Sequence, residues 1–100
     1  MNTHPMKMVS VVCEALARER ITTLLAEEGA RGHTAYPVTG LGAKGAREGD
    51  IAESGNIQVD VIVPEAVADR LLERLARDIL PRFATVVYES DVRVLRQEKF

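Results

Sequence analysis

All seven glycines of the chain fall between Gly29 and Gly55, in "GARGHTAYPVTGLGAKGAREGDIAESG", and two neighbouring basic residues, Lys44 and Arg47, stand in its most glycine-rich part. Glycine weakens helix and strand interiors, so this clustering indicates either a mobile connection or backbone that must approach a ligand closely. Within it, "GLGAKG" at Gly40–Gly45 has the letters of G-x-G-x-x-G, and Asp60 follows at the distance a dinucleotide fingerprint would use. A Rossmann glycine turn must open a helix, however, and the "AREGDIAESG" that follows holds two more glycines and no apolar stripe. A Walker A reading also fails, because Lys44 is followed by Gly45 where Ser or Thr belongs. His4, His33 and Cys13 have no metal-ligand spacing, and Ser54 has no evident base, so neither a metal centre nor nucleophilic catalysis is indicated. Anion binding remains. Backbone N–H groups of a glycine-rich turn can cradle a phosphate, with charge from Lys44, Arg47, Arg93 and Arg96 if the fold or an oligomer gathers them. The alternative is that these four cations are ordinary solvated surface.

The elements that must position these groups can be read from periodicity. "MKMVSVVCE" is rich in valine and predicts a strand over about Met6–Cys13, buried on both faces, with residues 1–5 as a tail. In "ALARERITTLLAEEG", Ala17, Ile21, Leu24 and Leu25 share one helical face, and Gly29 stands where a C-terminal cap belongs. "HTAYPV" predicts a second strand that Pro37 confines to an edge or a bend. From Thr39 to Asn56 there is no periodicity, which predicts a long loop. "IQVDVIV" then places Ile57, Val59, Val61 and Val63 on one strand face and Gln58, Asp60 and Ile62 on the other. Pro64 opens a second helix whose stripe is Ala68, Leu71, Leu72, Leu75 and Ile79, and Pro81 stops it. "ATVVYES" and "DVRVLR" predict a last strand, bent or interrupted near Glu89–Asp91.

The order βαββαβ predicts an α+β ferredoxin-like sandwich, a single domain over residues 1–100, with both helices on one face of an antiparallel sheet. The other sheet face has no element to cover it. With valines on both sides of the strands, that face is expected to be buried against further copies of the chain, Val61 included.

Composition narrows the function. At 46% apolar but only 4% aromatic residues, the core must be aliphatic and, at 100 residues, modest. A net charge of −2 argues against nucleic acid and anionic membrane as partners. The central strands lack the aromatic residues that base stacking by an RNA-recognition sheet would need. One cysteine cannot form an intramolecular disulfide, and no apolar run reaches bilayer length, so the expected location is the cytoplasm.

Taken together, "MKMVSVV", "GARGHTAYPVTGLGAKG", "VDVIVPEAVADRLLERLA" and the basic final strand resemble the PII signalling superfamily over nearly the whole chain. The phrase G-x-T-x-x-x-V-x-G-x-G-x-K-G is the most specific part and is similar to the base of the PII T-loop, here residues 39–56. The resemblance implies a homotrimer with an adenine nucleotide in each cleft between subunits, and a T-loop that changes conformation with ligand and docks on a partner. It also implies a nucleotide-binding set of Thr34, Gly40, Leu41, Gly42, Asp60, Ile62, Thr85 and Arg96, with Lys44 and Arg47 as anion-binding residues of the loop. The ending "DILPRFATVVYESDVRVL" is more similar to the PII-like proteins associated with carboxysomes and bicarbonate transporters than to the nitrogen-regulatory ones. "LPRFAT" stands where the glycine- and lysine-rich B-loop would be, which favours ADP or AMP over a triphosphate. No tyrosine lies between Thr39 and Asn56, and no cysteine-bearing C-terminal extension is present. The resemblance therefore implies a non-enzymatic sensor of ADP or AMP, with bicarbonate as a second ligand and a bicarbonate transporter or carboxysome-linked protein as partner. The competing expectation is a CutA-like trimer, structural or metal-handling, that binds no nucleotide.

Overall fold

Alternating valines set the frame of the molecule, seen in a computed structural model that describes residues 1–40 and 55–100. Strand β1 (His4–Glu14) runs through the middle of one four-stranded sheet, antiparallel to β3 (Asn56–Val63) on one side and to β4 (Thr85–Val94) on the other. Strand β2 (Thr34–Val38) pairs antiparallel with β3 and completes the order β2-β3-β1-β4. Helix α1 (Arg18–Glu27) joins β1 to β2, and α2 (Glu65–Asp78) joins β3 to β4. This is the expected ferredoxin-like α+β arrangement.

The core lies between the helices and the sheet face that carries Val9, Val11, Cys13, Val59, Val61 and Val63. Against it pack Ala17, Ile21, Leu24 and Leu25 from the first helical segment and Ala68, Leu71, Leu75 and Ile79 from the second, all buried. Leu72 is partly buried against the same cluster. Each fully buried Leu or Ile contributes roughly 1.5–3 kcal/mol of transfer free energy, so these two stripes hold the helices to the sheet. Across the helix pair, Arg74 Nη1 donates to Glu27 Oε1 at 2.9 Å and to Glu28 Oε2 at 3.2 Å, orienting α2 against the end of α1.

Gly29 ends α1 with φ +89°, while the Ala30 N–H bonds to the Leu25 carbonyl and the Gly29 N–H to the Ala26 carbonyl. That double closure is a Schellman cap, and it turns the chain toward β2. Pro37 is tolerated because β2 is an edge strand, where an N–H can be dispensed with.

Several expectations need correction. His4 and Pro5 are not a tail; they pair with Val94 and Arg93 in the β1–β4 ladder. Strand β4 is continuous through Glu89–Asp91, which pair with Val9, Met8 and Lys7 of β1, and Asp91 forms an ion pair with Lys7. Asn56 belongs to β3 rather than to the preceding loop. Val61 lies on the helix-covered face and is 2% exposed, so it is core and not part of the uncovered face.

Candidate functional site

On the uncovered sheet face the register, not the sequence order, decides which side chains meet. Asp60 of β3 stands opposite Thr34 of β2 and Ser10 of β1, and Tyr36 and Gln58 lie opposite each other one step along. Tyr36 Oη donates to Asp60 Oδ2 at 2.6 Å, and Gln58 Nε2 donates to Asp60 Oδ1 at 3.0 Å. The same Gln58 amide donates to Tyr88 Oη at 3.1 Å, so the chain of bonds runs from β2 through β3 to β4. Desolvation pushes the Asp60 carboxyl up, but hydrogen bonding from Tyr36 and Gln58 outweighs it and holds the group below its ordinary value. The Tyr36 phenol, bonded to that carboxylate, partly desolvated and facing its negative charge, is pushed up to about 12.

Beside this network a cleft of about 380 Å³ opens on the same face. Met8, Thr34, Asp60 and Ile62 line it from the strands, His33 from the approach to β2, and Phe100 from the C-terminal segment. Among the described residues no lysine or arginine lines it. Its chemistry is therefore apolar, with an ionised acceptor in Asp60 and a hydroxyl in Thr34, and it suits a flat, uncharged body that offers hydrogen-bond donors.

The expected site residues are thus brought only partly together. Thr34, Asp60 and Ile62 share the cleft. Gly40 lies beyond the far end of β2, roughly 20 Å of extended chain from Thr34. Thr85, opposite Cys13, sits toward that same far end and bonds to the Phe83 carbonyl at 2.9 Å. Arg96 is exposed and stands two residues past the end of β4. Leu41, Gly42, Lys44 and Arg47 lie outside the described residues.

Three larger hollows, of about 570, 630 and 480 Å³, contain none of the expected nucleotide-binding set, although Arg93 lines the second. In the first, Arg74 is engaged by Glu27 and Asp78; in the second, Lys7 is engaged by Asp91. The smaller cleft gathers three of the expected residues and is the better site. Among the described residues no three His, Cys, Asp or Glu side chains gather to hold a metal. Burial, helped by Glu14, pushes the Cys13 thiol up to about 11 and leaves it unreactive at neutral pH. No helix among the described residues is long and apolar enough to cross a membrane.

Sequence reading placed Gln58 and Asp60 on one face but missed Tyr36, Ser10, Tyr88 and Phe100. The first three are found only through cross-strand pairing. Phe100 carried no signal beyond being one of four aromatic residues.

Comparison with known proteins agrees with this architecture. The family described as nitrogen regulatory protein P-II matches residues 6–99. A solved PII-like signalling protein from Thermus thermophilus is 37% identical, with a TM-score of 0.83, over 100% of this chain and 99% of that one. The PII-like protein CPII of Thiomonas intermedia K12, bound to ADP, AMP and bicarbonate, is 28% identical with a TM-score of 0.85, over 99% of this chain and 96% of that one. Its complex with ADP and bicarbonate gives 29% identity and a TM-score of 0.85, over 99% and 97%. No curated protein sequence matches. These comparisons lend no support to the CutA-like alternative.

Proposed function

Since the chain belongs to the nitrogen regulatory protein P-II family, we propose that it is a non-enzymatic regulatory protein that binds ADP or AMP in the clefts between subunits of a homotrimer. Bicarbonate is its second ligand, and the loop between β2 and β3 reports inorganic-carbon or energy status to a bicarbonate transporter or carboxysome-linked partner in the cytoplasm. The observation that carries this reading is the division of the expected site. Thr34, Asp60 and Ile62 line one cleft, while Gly40 and Thr85 stand toward the opposite end of the sheet. One chain therefore holds two half-sites, and a neighbouring copy supplies the complement to each. The acidic cleft takes the base and ribose; Gly40, Leu41 and Gly42 of the neighbour, with Arg96, receive the phosphates. Lys44 and Arg47 hold the second anion. The ADP, AMP and bicarbonate in the solved CPII complex supply the ligand identities.

Isothermal titration with ATP, ADP, AMP and cyclic AMP, each with and without bicarbonate, tests the reading. ADP or AMP is expected to bind, and bicarbonate and nucleotide to raise each other's affinity by one common factor. Absence of binding by every adenine nucleotide would overturn the proposal; binding that bicarbonate leaves unchanged would remove the inorganic-carbon link alone.

A further inference from the structure

We infer that Phe100 is a specificity-determining residue of the Thr34–Asp60–Ile62 cleft, its ring forming the aromatic wall on which the base of the nucleotide stacks. The inference rests on the nucleotide reading above and adds to it a residue that reading does not use.

The chain has only four aromatic residues, and three are committed elsewhere. Phe83 packs against the core, and Tyr36 and Tyr88 are held in the polar network of the open face. Phe100 is half-buried, lines the cleft, and is not among the partly buried residues that pack on the core. Its backbone is fixed. The Phe100 N–H donates to the Gln97 carbonyl at 3.1 Å, and Arg31 Nη1 donates to the Glu98 carbonyl at 3.2 Å. This ties the last turn to the segment that carries Gly32 and His33 into the same cleft.

The lining selects what can enter. Met8, Ile62 and Phe100 offer apolar surface, and the Asp60 carboxylate repels phosphate while accepting hydrogen bonds from an amine or hydroxyl. A volume of about 380 Å³ is near the lower end of ligand pockets and leaves room for a heterocycle. The base thus sits inside beside the ring, and the phosphates leave the cleft.

The test compares the full-length protein with Phe100→Leu and Phe100→Trp by titration with ADP and AMP. Phe100→Leu keeps apolar bulk but no π-face, and should weaken binding roughly tenfold, whereas Phe100→Trp should retain or tighten it. The chain has no tryptophan, so the introduced indole is a unique emitter whose fluorescence should be quenched on saturation with nucleotide. Wild-type affinity in Phe100→Leu, or unchanged indole emission in a Phe100→Trp protein saturated with nucleotide, would overturn the role of Phe100 alone. If the wild type binds neither ADP nor AMP, the nucleotide reading fails first, and this inference with it.

Discussion

Asp60 concentrates the chemistry of the uncovered sheet face in one carboxylate. Two donors at 2.6 and 3.0 Å hold it ionised and oriented at the mouth of the cleft. Tyr36→Phe keeps the ring and removes the shorter bond, so the Asp60 titration followed by NMR should move up toward the ordinary carboxyl value. An unmoved titration would show that the phenol does not hold the carboxylate. The sign of the stability effect follows from linkage. A carboxyl whose folded pKa lies below its unfolded value, about 3.9, contributes stability that is present above that value and lost as pH falls through the folded pKa. Tyr36→Phe should therefore lower stability at neutral pH and make the acid limb shallower. Period-two alternation put Gln58 and Asp60 on one strand face, but not on the right side of the sheet: Val61, expected on the uncovered face, is core, and the open face belongs to Asp60. Its partners were not legible, because Tyr36 and Tyr88 reach the network only through a pairing register that hydrophobic pattern does not specify on a polar, uncovered face.

At the scale of elements, both helices were readable from their stripes, since 3.6-residue periodicity is a property of local sequence. The end of β4 was not. Glu89-Ser90-Asp91 reads as a break when taken alone, and it continues as strand because it pairs residue for residue with Val9, Met8 and Lys7 of the neighbouring strand. The Gly29 cap was visible as a glycine after the last apolar residue of α1, and its left-handed φ gives it a definite energetic role. No atom lies within 4 Å of where a Cβ would stand, so Gly29→Ala should cost only the backbone conformational term, about 1–2 kcal/mol. Urea unfolding measures this. A neutral substitution would mean that the cap relaxes into another turn.

For the whole molecule, the two sheet faces make contrasting demands. Val61 is sealed under the helices at 2% exposure, whereas Val86 on the opposite face is 49% exposed. A lysine in the core leaves a charge without water or partner, so Val61→Lys should prevent folding of the subunit. Val86→Lys should leave each subunit folded, with unchanged circular dichroism, but dissociate the proposed homotrimer in sedimentation. Wild-type protein that sediments as a monomer at micromolar concentration would refute the assembly. A trimer unaffected by Val86→Lys would place its interface elsewhere. The sequence showed that one face lacks a cover; it did not show that this face is largely polar, with Ser10, Gln58 and Asp60 at its centre.

In the proposed homotrimer, the placing of the Thr34–Asp60–Ile62 cleft and of Gly40 toward the two ends of one sheet would tie recognition to mass action. A seat completed only by a second copy exists in proportion to the assembled fraction, so occupancy depends on how much protein is present as well as on how much nucleotide. Each bound nucleotide in turn draws copies out of the dissociated pool, because a ligand that binds only the assembled form shifts that equilibrium toward it. In the proposed assembly, metabolite level and protein abundance thus act on one and the same equilibrium.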